Sequence, residues 1–150
     1  MIYSKPCEYA IRALAFLAMS PREGAAQGTV IAQGEGLPAP LLGKVLQQLA
    51  RKGLLKSRRG PGGGFRLARK PELITLRDVV AAIDGLDQFV ECAVGLEHCS
   101  DESPCPLHDT WKALRAQMMS YLETTTLADM AAAVAKKKAL RGGSRRSRGK

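Results

Sequence analysis

Residues 91–111 read ECAVGLEHCSDESPCPLHDTW and hold three of the chain's four cysteines and both of its histidines. Thiolates and imidazoles bind soft metal ions, so this density in one short stretch points to a metal site or to redox chemistry. The spacing is Cys92, six residues, Cys99, five residues, Cys105, two residues, His108. The Cys-x-x-Cys pair that opens many structural zinc sites and thiol oxidoreductase motifs is missing. Such long intervals suit a loop wrapped around something larger than one ion, and thiolates hold iron–sulfur clusters in which imidazole can replace one of them. Three cysteines need a fourth ligand for a closed site, and His108 is the simplest candidate. His98 reads as an exposed loop residue, and Cys7 as a small buried residue of a helix. Asp101 and Glu102 bring negative charge beside the thiolates, which disfavours reduction of a cluster.

The remaining residues must position this loop. With 150 residues, 45% hydrophobic and 25% charged, the chain has globular composition and enough length to bury a core without disulfides. No apolar run is long enough for a membrane span. The opening MIYSKPCEYAIRALAFLAMS carries Glu8 and Arg12 within its apolar stretch, and so reads as a helix rather than a signal peptide. A cytoplasmic, nucleoid-associated protein is expected, in which thiols stay reduced and available to metals.

Charge is polarised along the chain. Lys44 to Lys70 holds nine basic residues and no acid, whereas Asp78 to Asp109 holds eight acids and no Lys or Arg. Lys136 to Lys150 adds eight basic residues without an acid, and the rest of the chain is close to neutral. A basic section of this kind points to a polyanion as partner.

A helix is expected from about Cys7 to Ala18. Two short helices joined by a tight turn follow, the first over about Thr29 to Gln33 and the second opening near Pro38. In the second, Leu41, Leu42, Val45, Leu46 and Leu49 recur at three- and four-residue intervals and predict one buried face. Pro40, Gly43, Lys44, Gln47, Gln48 and Arg51 fall on the other side. Leu54–Ser57 and Phe65–Leu67 can pair as strands around RGPGGG, where four glycines and a proline exclude a helix. Helix, turn, helix and basic hairpin make a winged helix-turn-helix. The fold class expected is therefore mainly α, with a small β-hairpin wing and a long dimerisation helix.

Such a helix enters the major groove, here with Pro40, Leu41, Lys44 and Gln47 near its leading half, while Arg58 and Arg59 meet the backbone or minor groove. Gly60, Gly62 and Gly63 let the main chain approach closely. Residues 1–72 would form this DNA-binding domain and 73–90 a connecting helix, with Thr75 and Asp78 at capping-box spacing. Residues 91–107 would be the cysteine loop. Residues 108–135 would hold the dimerisation helix, with a seam of Leu107, Trp111, Leu114, Met118 and Leu122, and a short last helix. Residues 136–150 read as a disordered basic tail. Enzyme motifs are lacking: there is no Ser-His-Asp arrangement, and the GPGGG run has no Lys-Ser/Thr after it to make a phosphate loop.

The stretch GKVLQQLARKGLLKSRRGPGGGFRLARKP, followed by a helix and a three-cysteine segment, closely resembles the IscR/NsrR-type (Rrf-type) bacterial transcriptional regulators. The resemblance runs from Tyr9 to about Asp129. It implies a homodimer, probing a double-stranded DNA operator, with an iron–sulfur cluster of two or four irons that senses iron supply, redox state or nitric oxide. It also implies that Pro40, Leu41 and Lys44 face the major groove, with Arg59 and Gly60 in the wing. Cys92, Cys99, Cys105 and His108 become the ligand set, with Glu8 of the partner subunit as rival to His108 and Cys7 third. Pro38 and Pro40 stand where small hydroxyl residues are frequent in the family, and Gly43 replaces an acid that some members use to discriminate operators, so the target sequence does not transfer. The alternative within the same fold is a metal-free regulator whose cysteines form a disulfide on oxidation, or one responsive to another ligand.

Overall fold

A computed structural model describes residues 2–20, 24–97 and 99–146, with side chains described as far as Ala139. Helix α1 spans Lys5–Met19, α2 Gly28–Glu35 and α3 Ala39–Arg51; strands β1 (Leu55–Arg58) and β2 (Gly64–Leu67) follow, then α4 (Leu76–Ile83), α5 (His108–Thr124) and α6 (Leu127–Arg146). Short 3-10 turns at Pro71–Leu73 and Asp87–Phe89 flank α4.

Local chemistry sets the helix boundaries. Ser4 caps α1, its hydroxyl accepting from the Cys7 N–H at 3.2 Å, and Pro6 sits in the first turn, where no intrahelical donor is needed. Gly36 ends α2 in the left-handed conformation at φ 63°. The capping box ahead of α4 is formed: Asp78 N donates to Thr75 Oγ1 at 3.2 Å, and Thr75 N to Asp78 Oδ2 at 3.2 Å. Thr126 and Asp129 repeat the reciprocal bonds at the start of α6.

The core lies where α1 crosses α2, α3, α4 and α6. Leu14, Ile31, Leu42, Leu46, Leu49, Ile74, Val79 and Val80 are fully enclosed there. Leu41, placed by its spacing on this buried face, is 38% exposed: the stripe that packs is Leu42, Val45, Leu46 and Leu49, and Leu41 lies about 40° beyond Val45 at its edge. Gln48 is likewise turned inward, donating from Nε2 to Ala82 O at 3.0 Å, so it does not belong to the outer face.

The hairpin pairs antiparallel, Leu55 opposite Leu67 and Arg58 opposite Gly64. A bridge from Ala26 to Phe65, with N–H···O bonds of 2.9 and 2.8 Å, fastens the wing to the segment before α2. A second bridge joins Thr75 to Thr126 and brings the end of α5 beside the start of α4.

The expected seam on α5 is divided. Leu122 is buried in the core at 0% exposure, whereas Leu107 and Leu114 are 50% and 47% exposed, with Trp111 and Met118 half-buried between them. The helix thus docks by its C-terminal end and projects its N-terminal part. Past residue 136, where the sequence suggests a tail, α6 runs on to Arg146, and residues 147–150 lie outside the described residues. Ala, Lys, Arg and Leu dominate the first half of that stretch and are strong helix formers, so α6 is prolonged rather than ended. Among the described residues no helix is long and apolar enough to cross a membrane.

Candidate sensor loop and nucleic-acid interface

Segment 84–107 connects α4 to α5 and carries the cysteines. Gly85 and Gly95, at φ 79° and 69°, let it turn back on itself, and Phe89 anchors its start in the core. Two side chains of α5 hold the turn leading to Cys92: Arg115 donates to Val90 O at 2.8 Å and Trp111 Nε1 to Glu91 O at 2.8 Å. These bonds bring Cys92 to the N-terminal end of α5, where His108 is the first helical residue.

The Sγ atoms of Cys92, Cys99 and Cys105 all lie within 4.8 Å of one another. Cys92 and Cys105 are 3.8 Å apart, and Cys99 Sγ lies 3.1 Å from His108 Nδ1. All are free thiols, half-buried around a cavity of about 300 Å³ that Trp111, Lys112 and Arg115 also line. The Cys92 thiol is lowered to about 7 by backbone hydrogen bonds at Val94 and Leu96, so it is substantially thiolate near neutral pH. Cys99 moves the other way: a backbone hydrogen bond at Cys105 lowers it, but desolvation and the neighbouring thiols together raise it.

His108 Nε2 lies 2.8 Å from Asp101 Oδ1, and Lys112 Nζ lies 2.6 and 2.7 Å from the two oxygens of that carboxylate. Hydrogen bonds from Lys112 and His108 hold the Asp101 carboxyl down at about 2. The expectation that Asp101 adds net negative charge beside the thiolates is thereby corrected, because Lys112 neutralises it; no spacing rule links the two. The donor set of three thiols and one imidazole fits a soft metal centre. His98 lies outside the described residues.

The two rival ligands are elsewhere in the chain. Cys7 is fully buried in α1, its thiol pushed up to about 12 by burial and the nearby Asp84 carboxylate. Glu8 is one residue on, paired with Lys5 at 2.8 Å, and belongs to α1 rather than to the loop.

Pro40, Leu41, Lys44 and Gln47 are all exposed along α3, with Gly43 between them. Arg58, Arg59 and Gly60 are exposed at the hairpin tip. Among the described residues none of Lys44, Arg58 and Arg59 takes part in an ion pair, which leaves their charge available. Gly60 and Gly62 have φ of 88° and 71°, and Gly63 N donates to Gly60 O at 2.9 Å to close the tip. A Cβ on Gly63 would stand 2.4 Å from Arg58 O and 2.7 Å from Gly60 O. Gly63→Ala is therefore expected to reshape the tip and displace both arginines. DNA affinity should fall about as far as when Arg58 and Arg59 are both removed, with thermal stability lowered by only about 1–2 kcal/mol; titration and melting of one preparation check this.

A helix-turn-helix with a basic, glycine-tipped hairpin defines a winged-helix DNA-binding regulator. The sequence matches the Rrf2 family, described as iron-dependent transcriptional regulators, over residues 3–133. It is 31% identical over 122 residues to the HTH-type transcriptional regulator IscR of Aliivibrio salmonicida, covering 81% of this chain and 72% of that one. Two solved structures are similar. CymR of B. subtilis, described as its global cysteine regulator, has a TM-score of 0.73 at 29% identity, covering 88% of this chain and 97% of that one. T. potens IscR has a TM-score of 0.71 at 28% identity, covering 89% and 88%. The chain belongs to the Rrf2 family of transcriptional regulators, and its relatives are regulators rather than enzymes.

Proposed function

We propose that this protein is a homodimeric repressor whose operator affinity is controlled by an iron–sulfur cluster on Cys92, Cys99, Cys105 and His108. The observation that carries the reading is the convergence of three thiols within 4.8 Å, with an imidazole nitrogen 3.1 Å from one of them, in a chain of the Rrf2 family. A bound cluster supplies a redox-active group that also reacts with oxidants and nitric oxide. His108 ranks ahead of the partner subunit's Glu8 because its Nδ1 already faces Cys99. Cys7 ranks last, since reaching the loop would empty part of the core.

The uncovered Leu107 at the cap of α5 and Leu114 within it, with Val90 at 64% exposure held to the same helix by Arg115, support pairing of two copies along this helix. On the DNA side, Lys44 and Gln47 would read base edges, with Pro40 and Leu41 against the groove wall. Arg58, Arg59 and the backbone at Gly60, Gly62 and Gly63 would meet the sugar–phosphate edge. The loop is joined to the recognition helix through its flanking elements: Arg115 and Trp111 of α5 hold Val90 and Glu91, and the end of α4, where the loop begins, accepts from Gln48 of α3. Ligation fixes the loop, and the loop sets how two recognition helices meet half-sites roughly 34–36 Å apart.

The deciding experiment is anaerobic purification with iron, sulfide and zinc assayed on one sample. Brown protein with iron and sulfide in comparable amounts supports the cluster; colourless protein after reconstitution with iron and sulfide sinks it. One observation favours a second reading. Cys92 and Cys105 are 3.8 Å apart with Cys92 partly ionised, a pair set for oxidation to a disulfide without metal. Colourless, zinc-free protein whose DNA affinity changes on oxidation would select it; zinc in that sample would instead indicate a structural ion.

The basic C-terminal stretch should add affinity without adding sequence preference. Deleting residues 136–150 removes eight cations and leaves the core contacts of Leu127 and Met130 intact. The salt dependence of DNA binding is expected to become shallower by about 0.9 in log–log slope for each phosphate no longer neutralised, with the order of preferred operators unchanged. Titrations at several salt concentrations check both parts.

A further inference from the structure

We infer that Asp101, held by Lys112, is the positioning residue that makes Nδ1 the ligating atom of His108. This rests on the cluster reading for the identity of the metal centre, although the geometry bears on any soft metal bound there.

An imidazole has two nitrogens, and a neutral ring that donates through one offers a lone pair at the other. Here Nε2 meets Asp101 Oδ1 at 2.8 Å, and a carboxylate accepts, so the ring proton belongs on Nε2. Nδ1 is then the unprotonated atom, and it is the one that lies 3.1 Å from Cys99 Sγ, on the thiol side of the ring. The carboxylate is fixed in turn: Lys112 bonds both of its oxygens from α5, one helical turn beyond His108 on the same face. The imidazole is 12% exposed and has little room to flip, whereas Asp101 is 69% exposed and buries nothing. Its placement is thus explained by the histidine and not by packing. The bond also ties the middle of the Cys99–Cys105 segment to the helix bearing His108. Outer partners of this kind orient metal-bound histidines and raise their basicity.

The test uses Co(II) alone as probe on the full-length protein, freed of metal and kept reduced, with affinity read from the visible bands of the sulfur-bound ion. Asp101→Ala is expected to weaken Co(II) binding about 10–100-fold, and Asp101→Glu to recover most of that loss. His108→Ala should weaken binding at least as much, and adding Asp101→Ala to it should cost nothing further, since the carboxylate acts only through the ring. Lys112→Met should reproduce the Asp101→Ala effect in smaller measure, which provides a variant outside the loop. If Asp101→Ala is as costly in the His108→Ala background as in the native one, Asp101 acts on the loop alone and the inference is overturned. If His108→Ala leaves Co(II) affinity unchanged, histidine ligation fails and the inference falls with it. Failure of the cluster reading shows separately, as an absence of iron and sulfide in reconstituted native protein whose cobalt affinities still follow this pattern. In reconstituted protein, nitrogen hyperfine couplings of the reduced centre should change in Asp101→Ala, because the remote nitrogen loses its acceptor.

Discussion

Replacing Cys92, Cys99 and Cys105 together by Ala is expected to leave protein that purifies without iron or sulfide and binds its operator identically whatever the iron supply, oxidant or nitric oxide. In the native protein, loaded and emptied forms should differ by about 5–150-fold in operator affinity, the usual size of a coupling free energy, and in the variant this ratio should collapse to one. The substitution isolates the sensing step because none of the three residues belongs to the buried core, which is built by α1 to α4 with Leu122 and Leu127. Thermal stability of the metal-free forms should therefore change little. Cys7→Ala provides the contrast: it removes a fully enclosed side chain, so stability should fall while iron content and the response are kept. Binding titrations under anaerobic conditions, with and without nitric oxide, measure the ratio. A triple variant whose affinity still moves with those agents would remove sensing from the loop altogether.

Much of the fold is legible because its signals are local. The spacing of Leu42, Val45, Leu46 and Leu49 gives α3 its buried stripe, and Thr75 with Asp78 marks the start of α4 through side chains that reach only three residues. RGPGGG declares a turn because Gly60 and Gly62 adopt positive φ and Gly63 has no room for a Cβ. What stays hidden is the partner of each local feature. Periodicity puts Leu107 and Leu122 on one seam, yet the first is uncovered and the second is in the core, because the helix leaves the body along its length. Gln48 has the spacing of a solvent-side donor, but α4 supplies Ala82 O as its acceptor 34 residues away. The bridge from Ala26 to Phe65 is invisible for the same reason, being a single backbone pair with no strand pattern around it. At the loop, the grouping of the three thiols with His108 is legible from residue type and spacing. Asp101 reads only as charge, because its roles with His108 and Lys112 depend on a backbone path that composition does not encode.

The second large effect is expected at the DNA interface, where helix and wing should fail in different ways. Lys44 stands exposed in the leading half of α3 with no ion pair among the described residues. If Lys44 reads base edges as proposed, Lys44→Ala should cost about 1–3 kcal/mol on the operator and much less on unrelated duplex, reducing discrimination. Arg58 and Arg59 stand exposed at the glycine tip of the wing, and in the proposed function their cations meet phosphates or the minor groove. Removing both should weaken operator and unrelated DNA alike, and should reduce the log–log salt slope by about 0.9 for each phosphate they neutralise. The two signatures are read from one set of titrations, native and variant, on matched and scrambled duplexes at several salt concentrations. Equal loss on both duplexes for Lys44→Ala would show that α3 does not read sequence. Loss confined to the operator for the arginine pair would move base recognition to the wing. Either result would leave the fold unchanged and reassign which of its two exposed basic elements chooses the target.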